Sequence, residues 1–82
     1  LHLAYNSVRK RIAEALLQLM EVEKSNNQTS IKINREDLAS MTGTAKETVT
    51  RTLSEFREDR LIDIEGGRIQ LLNSKALEDL PY

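Results

Sequence analysis

The chain has 82 residues, with 12 Lys and Arg against 13 Asp and Glu, a single His, no Cys and no Trp, for a formal charge of −1. That length allows one small domain, and 39% hydrophobic with 30% charged residues, without an apolar run near the roughly 18 residues a membrane span needs, is the composition of a soluble globular protein. The absence of cysteine excludes a disulfide framework, a thiolate zinc site and a cysteine nucleophile, and a lone His2 supports neither a histidine triad nor a histidine metal cluster.

A core this modest leaves little room for a substrate cavity, so function is expected on the surface. The sequence pI of about 5.8 argues against indiscriminate nucleic-acid binding, which usually goes with pI above about 9. Any nucleic-acid role must therefore come from the placement of charge. No secretory leader is visible, no membrane partner is expected, and a cytoplasmic location fits.

Residues 1–7 read as a junction, with Leu1 to Tyr5 an apolar lead-in that has no partner of its own and His2 a junction residue. From Val8 the apolar residues Val8, Ile12, Leu16, Leu19, Met20 and Val22 recur near a 3.6-residue period, which predicts a first helix capped by Ser7. The polar run 24–30 ends it in a loop. Ile31-Lys-Ile33 alternates and predicts a short strand that needs a neighbour to persist. Asn34, with Asp37 three residues on, opens a second helix in a partial capping box, with Leu38, Ala39 and Met41 as its buried face.

Thr42-Gly43-Thr44 interrupts that helix, because Gly43 can close it in the left-handed conformation. Thr44 with Glu47 reads as a capping box for a third helix, and Val49, Leu53 and Phe56 give it a packing stripe that ends near Asp59. Two alternating segments follow, Leu61 to Glu65 and Arg68 to Leu72, around Gly66-Gly67. This is a hairpin in which Glu65 faces Arg68, Ile64 faces Ile69, Asp63 faces Gln70 and Ile62 faces Leu71, with the charges paired at its tip. Asn73 or Ser74 caps a last short helix holding Leu77 and Leu80, stopped by Pro81.

Helix, strand, short helix, glycine turn, longer helix and hairpin in that order predict a mostly α fold with a small β-hairpin wing (α+β), a winged helix-turn-helix over residues 8–82. Its helix-turn-helix unit is 35–53 and its wing 61–72. The outer face of the third helix carries Lys46, Glu47, Thr50, Arg51 and Ser54, all polar and near its amino end, the part that enters a major groove when such a unit docks. Arg51 can donate two hydrogen bonds to guanine O6 and N7, Lys46 can donate to the same atoms of another guanine, and Glu47 can accept from a cytosine amine. A carboxylate there suits base reading better than phosphate binding.

The segment Arg35-Glu-Asp-Leu-Ala-Ser-Met-Thr-Gly43, followed by Thr44-Ala-Lys-Glu-Thr-Val-Thr-Arg51-Thr-Leu, strongly resembles the DNA-binding domain of bacterial Crp/Fnr transcription regulators, relatives of the cyclic-AMP receptor protein. Leu3-Ala-Tyr, Arg11-Ile-Ala, Leu61-Ile, Gly66 and Ile69 extend the likeness over nearly the whole chain. The resemblance implies sequence-specific binding of double-stranded DNA and no enzyme activity. Glu47 and Arg51 match the family's base-reading positions, while Lys46 departs from the family's Arg and replaces a planar fork by a point donor. It also implies a separate amino-terminal effector domain for a ligand such as a cyclic nucleotide, no cofactor in this segment, a homodimer on a two-fold DNA site, and RNA polymerase as a further partner.

Each site residue also has a plainer reading. Glu47 fits as the capping partner of Thr44, and Arg51 as an ion-pair partner of Glu47 or Glu55. Lys46, Glu47, Thr50 and Arg51 form the expected base-reading set; Asn34, Arg35, Thr44, Thr48 and Arg68 form the expected phosphate-contacting set, although threonines on a solvated face need no role and Arg68 can pair with Glu65. Arg9-Lys10-Arg11 is either a solvated helix face or a DNA contact. The rival function is a winged helix that binds protein rather than specific DNA.

Overall fold

The computed structural model describes the backbone of residues 2–81 and the side chains of residues 5–81. Leu1 of the expected junction and the terminal Tyr82 lie outside the described residues, as does the side chain of His2. The elements are α1 (His2–Ser25), β1 (Ile31–Lys32), α2 (Arg35–Thr42), α3 (Lys46–Glu58), β2 (Ile62–Glu65), β3 (Arg68–Leu71) and α4 (Ser74–Glu78).

α1 starts six residues before Val8, so Ser7 lies inside the helix and caps nothing. No Gly or Pro interrupts residues 2–8, and Tyr5 has tertiary partners that favour continuing the helix. Ile12, Ala13, Ala15, Leu16 and Met20 of α1 are buried in one cluster with Leu38, Ala39, Val49, Leu53, Phe56, Ile62, Ile69 and Leu77. Val22 instead is 60% exposed, because at about 100° per residue it falls off the arc taken by Ile12, Leu16 and Met20. Met41 is 52% exposed. The inward arc of α2 is Leu38, Ala39 and Thr42, and the buried Thr42 hydroxyl is satisfied by donating to the Leu38 carbonyl at 2.8 Å.

Asn34 caps α2, its side-chain oxygen accepting from the Asp37 amide at 2.8 Å. At the other end Gly43 takes φ 64°, its amide donating to the Ser40 carbonyl and that of Thr44 to the Ala39 carbonyl at 3.0 Å. These two bonds make a Schellman closure, which needs a residue free of the Cβ clash at positive φ.

The sheet has the order β1-β3-β2, all antiparallel. The hairpin register matches the sequence expectation pair for pair, from Ile62 opposite Leu71 to Glu65 opposite Arg68. Gly66 and Gly67 both have positive φ, as a two-residue turn matching the strand twist requires. The two-residue β1 persists because β3 supplies its partner, with Ile31 opposite Ile69. Asn73 caps α4 by accepting from the Ala76 amide.

The basic run on α1 is partly solvated, with Arg11 exposed and Arg9 and Lys10 half-buried, yet it is not a free patch. Its three side chains point to three other helices: Arg9 pairs with Glu55 of α3, Lys10 donates to the Glu78 carbonyl of α4 at 2.8 Å, and Arg11 donates to the Thr42 carbonyl of α2 at 3.1 Å. Arg11 thereby places a cation at the carbonyl end of α2, where the helix dipole favours one.

Glu55 is the acceptor in the first of these ties. Partial burial raises its carboxyl pKa, but hydrogen bonds from Tyr5 and Arg51 and the charges of Arg9 and Arg51 outweigh that and leave it below the ordinary value. The ionised carboxylate thus contributes stability that is complete above the unfolded-state pKa and is lost as pH falls through the lower folded-state value. In urea unfolding followed from about pH 6 to about pH 3, Glu55→Gln is expected to show a shallower loss of stability on acidification than the parent chain. A second expectation concerns the closure of α2. An added Cβ at Gly43 would meet no atom within 4 Å, so Gly43→Ala should lose only the backbone term, about 1–2 kcal/mol. Met41→Gln, on the exposed side of the same helix, should change unfolding free energy by no more than about 0.5 kcal/mol.

Candidate nucleic-acid interface

The turn between α2 and α3 decides what α3 presents. The first bond within α3 runs from the Val49 amide to the Ala45 carbonyl at 3.0 Å, so Ala45 is the cap residue, and it offers no side-chain acceptor. The Thr44–Glu47 capping box therefore does not form. Thr44 is one residue too early, its amide already committed to the closure of α2, and Glu47 stands second in α3 rather than third. The leading amides of α3 have no side-chain acceptor, and a helix amino end in that state favours an anion.

Lys46, Glu47, Thr50 and Arg51 are all exposed and together line one open hollow on the outer face of the first two turns of α3. They share that face because the opposite one is fully occupied: Val49, Thr52, Leu53 and Phe56 are buried. Thr52, which only weakens the apolar pattern in sequence, is 0% exposed, with its hydroxyl 3.4 Å from that of Tyr5. Among the described residues the side chains of Lys46 and Glu47 form no ion pair.

Arg51 pairs with Glu55 rather than Glu47, its Nε lying 3.3 Å from Glu55 Oε2. Its guanidinium carbon stands 4.2 Å from the centre of the Tyr5 ring, and its side chain is still 65% exposed. Glu55 also accepts from the Tyr5 hydroxyl at 2.8 Å and from Arg9, whose guanidinium lies 5.1 Å from the Phe56 ring centre. Glu55 is legible in sequence as an i+4 partner of Arg51. Tyr5 is not, because it reaches α3 from 47 residues away and no local spacing announces it.

The residues expected at phosphates are more dispersed. Asn34 is exposed with its carboxamide oxygen spent on the cap of α2, which leaves its NH2 group as a donor. Arg35, Thr44 and Thr48 are partly exposed around the two helix amino ends. Arg68 does not pair with Glu65, although the register sets them opposite. Its guanidinium turns toward the loop before β1 and donates to Ser30 Oγ at 2.7 Å and to Gln28 Oε1 at 3.4 Å. β3 is the central strand, so Arg68 has neighbours on both sides and takes the neutral acceptors on the β1 side. With Asp63, Glu65 and Gln70 it lines a second hollow of mixed charge on the wing.

Among the described residues no helix is long and apolar enough to cross a membrane, and no group of three His, Cys, Asp or Glu is placed to hold a metal ion.

Comparison with known proteins gives a consistent result. Transcriptional regulator SdrP of Thermus thermophilus is 33% identical over 81 residues, covering 95% of this chain and 40% of that protein. The cyclic AMP receptor protein of the same organism is 28% identical over 80 residues, covering 98% of this chain and 36% of that protein. The crystal structure of the Thermus thermophilus catabolite activator protein superposes with a TM-score of 0.81 at 28% identity, over 95% of this chain and 35% of that one. The chain thus spans well under half the length of these relatives. A family model described as the Crp-like helix-turn-helix domain matches residues 10–80, and the chain belongs to that family, with the winged helix-turn-helix fold.

Proposed function

We propose that this chain is the sequence-specific, double-stranded-DNA-binding domain of a bacterial transcription regulator, reading a half-site in the major groove with α3. The observation that carries this reading is the group of Lys46, Glu47, Thr50 and Arg51, exposed side by side around one hollow at the amino end of α3. Family membership and the names of the relatives support it.

In this mechanism Arg51 donates to guanine O6 and N7, Lys46 donates to a neighbouring guanine, Glu47 accepts from a cytosine amine and Thr50 meets a base edge between them. Asn34, Arg35, Thr44, Thr48 and Arg68 meet phosphates, for which Arg68 must leave or share its bonds to Ser30 and Gln28. Glu47 has no competing role in a cap, which favours its work as an acceptor.

The parent protein on this reading is a cytoplasmic homodimer on a two-fold site. It has no enzymatic role and has RNA polymerase as a further partner. Any effector, such as a cyclic nucleotide, binds outside this segment.

Selection from a randomised duplex pool tests the reading, with retained sites sequenced at low and moderate salt. Arg51→Ala should weaken binding to the preferred site by about 1–3 kcal/mol, lose less on random DNA and relax preference at one base pair. Glu47→Ala should relax preference at a different pair while strengthening binding to random DNA, since it removes a repulsive carboxylate. Binding that is blind to sequence and insensitive to salt would overturn the proposal in favour of a protein-binding winged helix.

A further inference from the structure

Arg51 is a long side chain with several rotatable bonds, and a base contact made by a freely moving one is weakened by the entropy of ordering it. Here it is already held. The Tyr5 ring lies beneath the guanidinium at 4.2 Å, and Glu55 takes its Nε at 3.3 Å. A ring beneath the guanidinium and an engaged Nε restrict how the group can turn and leave free the edge bearing the two terminal nitrogens, the fork that meets guanine O6 and N7.

The holders are themselves held. The Tyr5 hydroxyl donates to Glu55 at 2.8 Å and lies 3.4 Å from the hydroxyl of the buried Thr52, while Arg9 pairs with the same carboxylate and lies over the Phe56 ring. Glu55 therefore sits between two arginines, one anchored against the core and one turned outward.

We propose that Tyr5 and Glu55 are positioning residues for base reading: a clamp between α1 and α3 that orders the Arg51 fork before DNA arrives and so sharpens discrimination at the base pair it reads. This rests on the reading of Arg51 as a base-contacting residue. The clamp acts on discrimination for a definite reason. Only the complex with the matching base needs the fork ordered, so ordering it in advance favours that complex and leaves the mismatched one unchanged. The 65% exposure of the Arg51 side chain and its place in the hollow with Lys46, Glu47 and Thr50 mean that the clamp presents the fork instead of withdrawing it.

The test uses the natural protein and the duplex selection, with Arg51→Ala, Tyr5→Leu, Tyr5→Phe and Glu55→Gln beside the parent. Tyr5→Leu and Glu55→Gln should lower preference at the Arg51 base pair, and at no other, by about two- to tenfold, the range expected for ordering one rotamer-rich side chain. Tyr5→Phe keeps the ring and should retain most of that preference. Both Tyr5 variants remove the hydroxyl that donates to Glu55 and meets Thr52, so their difference isolates the ring from the loss of that hydroxyl. In NMR spectra without DNA, the Arg51 side-chain protons should be moved upfield by the ring current in the parent and Tyr5→Phe, and not in Tyr5→Leu.

If Arg51→Ala relaxes one base pair while Tyr5→Leu and Glu55→Gln leave it unchanged, the clamp is refuted and the base-reading role stands. A sharper preference in those two variants would mean that the clamp withholds Arg51, and would likewise overturn the proposal. Unchanged preference in Arg51→Ala would remove the base-reading premise, and the clamp with it.

Discussion

What the outer face of α3 offers depends on the direction in which α3 leaves α2, and that direction is set by the left-handed backbone at Gly43. Its φ of 64° brings two amides back onto the last carbonyls of α2 and turns the chain out at Thr44 and Ala45. The turn also brings Ala45, which has no side-chain acceptor, to the cap position, so α3 starts at Lys46 without a side-chain cap. One backbone conformation thus shapes both the packing of the two helices and the chemical state of the end that carries Lys46 and Glu47. With a cap in place, Glu47 would have had a structural partner; without one, its carboxylate faces the open hollow.

The second constraint is the way α1 fastens the rest. Three consecutive cations cannot lie on one side of a helix that turns about 100° per residue. Arg9, Lys10 and Arg11 accordingly reach α3, α4 and α2 in turn. Ties of this kind add little where they are exposed, and the hydrophobic cluster around Ile12, Leu16, Leu53 and Phe56 supplies the larger share of stability, at about 1.5–3 kcal/mol for each large side chain buried. The Arg9 tie extends to the surface, because the carboxylate that receives it also receives Arg51.

Where the chemistry is local, the sequence is legible. The hairpin register follows from a period of two around Gly66-Gly67, the start of α2 from Asn34, and its end from Gly43. The four residues at the hollow are legible for a related reason: they are what remains once Val49, Leu53 and Phe56 take the packing side. The misreadings have physical causes of another kind. Thr44 has the right side chain for a cap, but the first bond of α3 falls on the Ala45 carbonyl, one residue later. Met41 is apolar in a helix too short to bury more than one narrow arc, where the polar Thr42 fits by bonding back to its own backbone. Arg9, Arg68 and above all Tyr5 take partners from distant parts of the chain, and no spacing rule reaches them.

The charge ledger bears on how such a domain works. With a net charge of −1 it gains no long-range attraction to a polyanion, and Arg9, Lys10, Arg11 and Arg68 already have partners within the fold. Within a Debye length of about 8–10 Å the local arrangement dominates the total. On the proposed reading, that arrangement is Lys46 and Arg51 flanking Glu47 at an amide-rich helix end, so attraction to phosphate is weak and partly cancelled by the carboxylate. Cytosine's amine is one of the few groups on DNA that repays Glu47, and the fork of Arg51 is best matched by guanine. On this reading binding rests on the phosphate contacts of Asn34, Arg35, Thr44, Thr48 and Arg68 together with the base contacts of α3, and the base-reading side chains supply the selectivity. The order imposed on those side chains before contact therefore bears on selectivity.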